Sequence, residues 1–354
     1  MDVIKESLLY EKLKEEKVRC NTCERKCIIP KEKTGFCKTR KNEDGKLYTL
    51  VYGDVGLFTD ANPIEKKPFF NFWPGSYALT VGTWSCNFGC VWCQNFHMSA
   101  TPPNPQESNY ISPERFIELV KLYNCQGTSI SFNEPTLLFE YSLDVFKLAR
   151  KEGFYNTYVT NGYMTLDALK LLKKAGLDAM NVDVKGDEEA VKKYCGGVDV
   201  KKVWRNIETA KKLGIHVEIT TLVIPGVNED EGCLKEIAGK IRKIDKNIPW
   251  HVTQYYPAYK ALDYGLYPGR TPVETLEKAY RIGKESGLNY VYAGNVPGHK
   301  YENTYCHNCN EMLIERFGFD VVTYKVTKDN RCPVCKEKIP IVGSGGVSKE
   351  HAFF

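Results

Sequence analysis

The sequence lacks any long apolar run. Hydrophobic residues make up 42% of its 354 residues, but no stretch approaches the roughly 20 apolar residues that a membrane-spanning helix needs. Lys and Glu are frequent in residues 1–17, where a secretory signal would carry an apolar segment. We therefore expect a soluble, cytoplasmic protein with no membrane partner.

The sequence also lacks an excess of one charge. Its 49 Lys and Arg residues against 44 Asp and Glu residues leave a formal net charge of +5. No dense basic tract accompanies that charge, and basic and acidic side chains are nearly balanced in residues 300–340. Because a nucleic-acid interface usually shows a clustered basic footprint, the composition disfavours nucleic acid as a partner.

What the sequence has in quantity is cysteine, with 14 residues that lie mostly in groups. Disulfides are disfavoured in a reducing compartment, so clustered thiols there indicate metal ligands. Three cysteines stand alone, and we expect Cys125, Cys195 and Cys233 to be small buried side chains. The groups are the N-terminal four (Cys20, Cys23, Cys27 and Cys37), the loop three (Cys86, Cys90 and Cys93) and the C-terminal four (Cys306, Cys309, Cys332 and Cys335).

Composition and patterning divide the chain into four zones. Residues 1–65 form a Cys-rich N-terminal extension, which we predict to open with a charged helix. Residues 66–298 form an α/β core, and residues 299–342 form a small metal domain resembling a zinc ribbon. Residues 343–354 are a tail that begins with Gly and Ser, and we expect it to be frayed.

The core alternates strand-like and helix-like segments. Ser112 is predicted to cap a helix that starts at Pro113, and Thr165 to cap a helix that Gly176 ends. Repeated β–α units imply right-handed crossovers and a parallel sheet, so we predict a partial or full parallel (β/α)6 barrel. In such barrels the chemistry lies at the C-terminal ends of the strands. The predicted strands are residues 77–82, 128–132, 155–160, 179–185, 216–224, 250–256 and 290–293.

The segment after the first core strand carries Cys86, Cys90 and Cys93. Thiolates separated by three and then two residues can wrap one face of an iron–sulfur cube from a short loop. Three thiolates leave one iron of a [4Fe–4S] cluster open, as a catalytic metal site requires. The alternatives are a zinc site, which normally takes four protein ligands when structural, and three core cysteines gathered by chance.

These residues carry a family resemblance. The pattern Cys-x3-Cys-x-aromatic-Cys, with Trp92 at the aromatic position, resembles the signature of the radical SAM superfamily. Further stretches resemble the radical SAM enzymes of the AmmeMemoRadiSam system, which are homologues of pyruvate formate-lyase activating enzymes. Those stretches are residues 20–37, 66–68, 132–136, 159–163, 221–228 and 290–298.

The resemblance implies cofactors and a reaction. It implies a [4Fe–4S] cluster on the loop three that binds S-adenosylmethionine (SAM) and cleaves it reductively to a 5′-deoxyadenosyl radical, which abstracts hydrogen from a substrate. It also implies a one-electron donor of the flavodoxin or ferredoxin type and a protein or peptide substrate, as for activating enzymes. The alternatives are a radical SAM enzyme that modifies RNA and a non-catalytic metal scaffold or electron carrier.

The resemblance also assigns residues to the bound cofactors, among them Trp92 at the aromatic position of the cysteine loop and Asn133. Glu134 matches the carboxylate that binds the SAM amine in the Gly-Gly-Glu motif of the superfamily. Phe132 and Asn133 replace the two glycines here, so they alter the walls of that loop. Thr160 and Asn161 match the Thr-Asn-Gly of activating enzymes, and their short polar side chains are expected to hydrogen-bond the ribose hydroxyls.

Two further pairs follow from strand positions. Asp183 and Lys185 alternate along the fourth predicted strand, so both point to one face. If that face lines the barrel, they form a charged pair beside the SAM carboxylate or the substrate. Val223 and Ile224, at the end of the fifth strand, are predicted to pack on adenine, and the alternative for them is ordinary core.

The two accessory cysteine groups predict metals of their own. The C-terminal four form two Cys-x2-Cys knuckles, a spacing typical of a zinc ribbon or of rubredoxin. We prefer zinc there, with the role of folding a domain too small to build its own core. The N-terminal four are spaced less regularly and predict zinc or an auxiliary iron–sulfur cluster, with zinc preferred.

Overall fold

The computed structural model describes residues 3–56 and 60–348. The strands of its N-terminal part are β1 (Lys5–Glu6), β2 (Tyr10–Lys12), β3 (Val18–Cys20), β4 (Ile28–Ile29), β5 (Arg40–Glu43) and β6 (Lys46–Thr49). They form two small antiparallel sheets, ordered β1-β6-β5 and β2-β3-β4. Because both sheets have three short strands, this part of the chain depends on other contacts for its stability.

The predicted charged helix at the N-terminus is wrong, because this segment forms β1 and β2. A helix built from it would present no apolar stripe, since Lys and Glu occupy so many positions. As a strand, β2 instead pairs with β3 and sets Tyr10 opposite the buried Cys20. Backbone pairing and the burial of β3 therefore decide the conformation here.

The core is one eight-stranded sheet. Its strands are β7 (Asp60–Pro63), β8 (Tyr77–Val81), β9 (Gly127–Ile130), β10 (Tyr155–Thr160), β11 (Ala179–Asp183), β12 (His216–Val223), β13 (Trp250–Gln254) and β14 (Val291–Gly294). They are ordered β14-β13-β12-β11-β10-β9-β8-β7, parallel from β8 to β14, with β7 antiparallel at one edge. The predicted α/β fold with a parallel sheet is confirmed. Within the described residues the sheet is open, with β7 and β14 as its edges, so it is a partial barrel.

Helices follow the core strands as the pattern predicted. The α-helices are α1 (Phe96–Ser99), α2 (Pro113–Leu122), α3 (Phe139–Lys151), α4 (Leu166–Ala175), α5 (Glu188–Tyr194), α6 (Val200–Lys212), α7 (Glu231–Ile244) and α8 (Val273–Glu285), and single 3-10 turns span Ile64–Lys66, Pro105–Glu107, Pro135–Leu138 and Lys300–Glu302. Ser112 and Thr165 cap α2 and α4 through their hydroxyl oxygens, and Gly176 ends α4 with a φ of 124°. Among the described residues, no helix combines the length and the apolar character that crossing a membrane requires.

The N-terminal ends of the core strands are covered by the segment around Phe70. Glu218 of β12 is fully buried there, and it accepts hydrogen bonds from the backbone N–H groups of Phe70 (2.9 Å) and Asn71 (2.8 Å). Its carboxylate also lies 2.9 Å from His216 Nε2 and 2.7 Å from His251 Nε2. Burial acts to raise the pKa of Glu218, but the two histidine contacts hold it at about 2. A charged network therefore closes this end of the sheet.

The C-terminal ribbon packs onto the same covered end. Its strands are β15 (Thr304–Tyr305), β16 (Met312–Phe317) and β17 (Asp320–Tyr324), ordered β15-β16-β17. The buried Arg316 donates hydrogen bonds to the carbonyl oxygen of Phe70 (2.8 Å) and to Thr304 Oγ1 (2.8 Å). This guanidinium therefore ties the ribbon to the segment that covers the sheet.

The tail is held in place where the structure describes it. The N–H of Gly346 donates to the carbonyl oxygen of Pro74 at 3.0 Å, and the N–H of Ser348 donates to that of Val321 at 3.0 Å. The expectation of a frayed segment is therefore wrong for residues 343–348. The rest of the predicted tail, residues 349–354, lies outside the described residues.

Candidate functional site

The loop three follow β8, at the edge where the C-terminal ends of the parallel strands meet. The backbone N–H of Phe88 donates to Cys86 Sγ at 3.3 Å. The N–H of Gly89 donates to the carbonyl oxygen of Cys195, just after α5, at 3.1 Å. The loop is thus shaped by its own backbone and anchored to a distant part of the chain.

Two asparagines fix the ends of this loop to the segment after β9. Asn133 Oδ1 accepts from the N–H of Thr83 (3.2 Å), and its Nδ2 donates to the carbonyl oxygen of Ser85 (2.7 Å). Asn95 Nδ2 donates to the carbonyl oxygen of Phe132 at 2.6 Å. The structure therefore places Asn133, predicted as a wall of the SAM loop, as a brace of the cysteine loop.

The loop thiols differ in their readiness to ionise. Burial raises the pKa of Cys86 and of Cys93. A hydrogen bond with the Cys195 thiol and the nearby charge of Lys185 lower the pKa of Cys90. Because thiolate is the form that binds metal, Cys90 is the ligand best prepared before any metal arrives.

The donor set fits an iron–sulfur cluster better than a single ion. The three thiols are partly buried. Among the described residues, they do not form, alone or with neighbouring ligand groups, a set of three whose ligand atoms all lie within 4.8 Å of one another, which is the spacing that suits one ion. The side-chain Nε2 of Gln94, next to Cys93, is buried and has no hydrogen-bond partner among the described residues. An unpaired buried donor is costly, and the sulfur atoms of a cluster are acceptors that would satisfy it.

Glu134 joins the ends of two neighbouring strands beside the loop. It is fully buried after β9, and its carboxylate accepts hydrogen bonds from Thr160 Oγ1 (2.8 Å), the N–H of Asn161 (2.8 Å) and the N–H of Thr136 (3.0 Å). Burial raises the pKa of Glu134. Three of the residues predicted to bind SAM thus lie together, with the carboxylate partnered by the protein.

The predicted charged pair also lies at this site. Lys185 Nζ is 3.0 Å from Asp183 Oδ2. Burial opposes the charge of Lys185, but Asp183 and Cys90 together raise its pKa. On the other side of the loop, Asn161 Nδ2 donates to Asn87 Oδ1 at 2.7 Å. The ends of β10 and β11 therefore both reach the cysteine loop.

The apolar residues predicted for SAM are buried side chains. The Trp92 ring lies 5.7 Å from that of Tyr194 and stiffens the loop. Val223 and Ile224 are both fully buried, and the carbonyl oxygen of Val223 accepts from Thr271 Oγ1 at 2.6 Å. Their contact with adenine stays a prediction.

The C-terminal four are gathered as a single-ion site. Cys306 Sγ is 3.5 Å from Cys335 Sγ, and Cys309 Sγ is 3.6 Å from Cys332 Sγ. In the part of the chain that the structure describes, they alone form a group whose ligand atoms all lie within 4.8 Å of one another. Tetrahedral zinc with bonds of about 2.3 Å separates its sulfurs by about 3.8 Å. The predicted C-terminal metal site therefore has the right size for one ion.

The N-terminal four line a small pocket together with Arg40 and Asn87. Arg25 Nη2 donates to the carbonyl oxygen of Gly196 at 2.9 Å, and its Nε donates to that of Asn87. Burial raises the pKa of the Cys23 thiol, and the Asn87 side chain beside it acts in the opposite direction. The N-terminal four therefore lie directly against the loop three.

Sequence reasoning missed three residues of this site, namely Arg25, Asn87 and Cys195. Cys195 is buried, as expected, but its contact with Cys90 joins segments far apart in the chain. Asn87 lies between Cys86 and Cys90 in the Cys-x3-Cys pattern, and this position is the sequence signal that could have placed it at the site. Arg25 lies between Cys23 and Cys27 in the same way.

Comparison with known proteins gives consistent matches. A family model described as the radical SAM superfamily matches residues 81–235. An uncharacterised protein of Methanocaldococcus jannaschii is 41% identical over 96% of this chain and 100% of its own length. A putative glycyl-radical enzyme activating enzyme of the same organism is 31% identical over 58% of this chain and 73% of its own.

More distant matches differ in described activity. A GTP 3′,8-cyclase of Helicobacter pylori is 28% identical over 68% of this chain and 78% of its own length. Among solved structures, SuiB of Streptococcus suis bound to S-adenosylmethionine aligns with a TM-score of 0.49 and 13% identity, over 66% of this chain and 53% of its own.

Proposed function

Because the chain belongs to the radical SAM superfamily, we propose that it holds a [4Fe–4S] cluster on the loop three and uses SAM to take hydrogen from a protein or peptide. When bound, the cluster and SAM supply reductive cleavage of the sulfonium to a 5′-deoxyadenosyl radical. The chain itself must bind, orient and shield these groups. Its three thiols, spaced for one face of a cube, are the observation that carries the proposed chemistry.

The residues around the loop suit the parts of SAM. Glu134 offers a carboxylate for the amine, and a charge-assisted hydrogen bond of this kind is stronger than a neutral one. Thr160 and Asn161, which already position Glu134, offer polar contacts for the ribose. Asp183 and Lys185 form the charged pair for the SAM carboxylate or the substrate.

Apolar side chains complete the proposed cofactor site. Val223 and Ile224, at the end of β12, would pack on adenine. Trp92 lines the cofactor site in this proposal, and it keeps the loop rigid by packing on Tyr194. Rigid support of this kind is what keeps a reacting group in productive geometry.

An exposed aromatic rim beside the loop supports a protein or peptide substrate. The segment after β13 is tied to the loop, because the N–H of Lys260 donates to the carbonyl oxygen of Val91 at 3.0 Å. On this segment the Tyr259 ring stacks on Phe96 at 5.4 Å. The rim consists of Phe96, Tyr256, Tyr259, Leu262, Tyr264 and Tyr267, each at least 38% exposed.

Such a concentration of exposed rings favours recognition of a macromolecule. Single exposed apolar residues are ordinary, but clustered ones mark interaction sites. Tyr suits peptide contacts because its ring buries apolar area while its hydroxyl keeps a hydrogen bond. The proposal also needs a one-electron donor, for which a small acidic or neutral carrier of the flavodoxin or ferredoxin class is sufficient.

The first experiment tests SAM cleavage. Protein reconstituted and reduced without oxygen should convert SAM to methionine and 5′-deoxyadenosine. Cys86→Ala, Cys90→Ala and Cys93→Ala should each abolish the product, whereas Cys125→Ala, a buried cysteine outside the three groups, should retain it. Cleavage that survives in all three loop variants would refute the proposed site.

The second experiment identifies the substrate class. Uniformly deuterated protein, RNA and nucleotide fractions are incubated separately with the active enzyme, and label in 5′-deoxyadenosine is measured by mass spectrometry. The protein fraction should transfer label, and Tyr259→Ala should lower that transfer. Label from RNA or nucleotides instead would replace the peptide substrate with one of those classes.

A further inference from the structure

The N-terminal four are arranged unlike the C-terminal four. Four thiols around one tetrahedral ion lie about 3.8 Å apart, and the C-terminal four approach that spacing. Within the described chain, no three of the N-terminal thiols lie within 4.8 Å of one another, although all four line one pocket. The loop three share this wider spacing. A wide set of thiols around a common pocket fits a group of several atoms better than a single ion.

The pocket also contains a buried positive charge. Arg40 is only 2% exposed, and its guanidinium lies 2.8 Å from the Glu140 carboxylate on α3. Four thiolates around a metal centre carry excess negative charge, and burial makes such charge expensive unless it is compensated. Because Arg40 is also paired with Glu140, it offsets only part of that charge at the wall of the pocket.

Further donors are available for sulfur acceptors. Thr22 Oγ1 is 3.7 Å from Cys20 Sγ, and Thr39 Oγ1 is 3.2 Å from Cys37 Sγ. Asn87 lines the same pocket and is 1% exposed, and its Nδ2 has no hydrogen-bond partner among the described residues. A buried amide donor without a partner is costly, and a sulfur acceptor in this cysteine-lined pocket would satisfy it.

We propose that the N-terminal four ligate a second iron–sulfur cluster, placed next to the cluster of the loop three. Four cysteine thiolates are the ordinary ligand set of [2Fe–2S] and [4Fe–4S] clusters, and Asn87 Nδ2 donates a hydrogen bond to its sulfur. The sequence spacing alone favoured zinc, and the observed width of the group reverses that preference.

The two clusters are close neighbours in this proposal. Asn87 follows the ligand Cys86 directly, and its side chain lies beside the Cys23 thiol of the other group. Arg25, between Cys23 and Cys27, also holds the carbonyl oxygen of Asn87. One residue therefore separates the two ligand sets, so the unpaired spins of two reduced clusters would interact.

The test counts acid-labile sulfide, iron and zinc in the full chain, purified without oxygen. Acid-labile sulfide is released by iron–sulfur clusters alone, so a single iron ion held by the C-terminal four would not add to the measured sulfide. The Cys86→Ala/Cys90→Ala/Cys93→Ala variant should keep a substantial fraction of the wild-type sulfide, about half for a [4Fe–4S] cluster. Absence of sulfide from that variant, with two zinc ions per chain, would overturn the proposal.

Matched variants separate ligation from damage to the fold. Adding Cys20→Ser/Cys23→Ser to the triple variant should remove the remaining sulfide, whereas adding Cys125→Ser/Cys233→Ser should not. If the triple variant does not fold, Cys20→Ser/Cys23→Ser in the otherwise natural chain should still lower sulfide to that of one cluster. Unchanged sulfide in that variant would contradict the assignment.

Electron paramagnetic resonance tests the placement. The reduced natural chain should give a spectrum broadened by coupling between two clusters, and variants with either cluster alone should give narrower spectra. A natural spectrum equal to the sum of the two variants' spectra would contradict the adjacency. None of these measurements needs SAM turnover, so their outcome is independent of the proposed enzymatic function.

Discussion

The two four-cysteine groups occupy opposite ends of the core sheet and differ in how closely their thiols approach. The C-terminal four are compact, and their ribbon packs with Phe70, Tyr290 and Tyr292 at the covered end. The N-terminal four are wider and share Asn87 with the loop at the open end. In parallel barrels the end that carries the N-termini of the strands, here the covered end, serves stability. The end that carries their C-termini, here the open end, serves chemistry. Equal numbers of the same ligand can therefore have different roles, which their location and spacing distinguish.

The largest effect that would test this comparison is a loss of stability at the C-terminal four. Cys332→Ala should lower the free energy of unfolding by about 4 kcal/mol or more, because a structural metal site contributes folding energy directly. Denaturant unfolding and hydrogen exchange of β16 and β17 measure the effect. Cys125→Ala is the control at a buried cysteine without a metal role, and equal unfolding curves for the two variants would contradict the comparison.

A smaller, pH-dependent effect is expected at the covered end. The pKa of Glu218 is held at about 2, below its ordinary 4.5, so its ionised form stabilises the fold above pH 4.5, and this stabilisation is lost as the pH falls towards 2. At 1.36 kcal/mol per pKa unit this amounts to about 3 kcal/mol at pH 7. Glu218→Gln should lose that amount at pH 7, and its difference from the natural chain should shrink in acid.

The measurement for Glu218 is denaturant unfolding at pH 7 and at pH 3. Glu274→Gln, at the exposed start of α8, is the control for removing one carboxylate. A difference between Glu218→Gln and the natural chain that stays constant with pH would show that the network acts by packing rather than by charge.

The smallest effect is expected at the open end and should alter chemistry rather than stability. Cys195→Ala removes the thiol that hydrogen-bonds to Cys90. Its loss should shift the reduction potential of the proposed loop cluster, and SAM cleavage should slow by about fivefold if the full ~1 kcal/mol of one hydrogen bond is lost from the transition state. Cys195→Ser keeps a donor and should restore both. Equal behaviour of the Ala and Ser variants would assign Cys195 to packing alone.

Local patterns were sufficient for most of the core. Each predicted core strand is found within two residues of its predicted ends, because β-branched and aromatic runs bounded by turn residues are local signals. The caps at Ser112 and Thr165 also follow from neighbouring residues. Strand alternation predicted the pairing of Asp183 with Lys185, and the two side chains do pair, although β11 ends at Asp183 and Lys185 lies two residues beyond it.

Contacts between distant segments were beyond such patterns. The Cys195 contact with Cys90, and the position of Asn87 between two cysteine groups, depend on which loops the finished sheet brings together. The predicted N-terminal helix does not form for a related reason, because the pairing of β2 with β3 outweighs the helix-forming composition of the segment. The sequence spacing of the cysteines likewise identified the metal ligands but did not give the distances between their sulfur atoms in each group.

Arg25 holds the carbonyl oxygens of both Asn87 and Gly196 from within the N-terminal four. This single guanidinium bridges two segments that lie next to the loop three, so the N-terminal extension supports that loop only once it has folded against it. If the N-terminal four hold the cluster that we propose, its loss in air would leave the loop three without that support. Under that proposal, iron and sulfide supplied afterwards to the loop three would restore little SAM cleavage until the extension had been rebuilt.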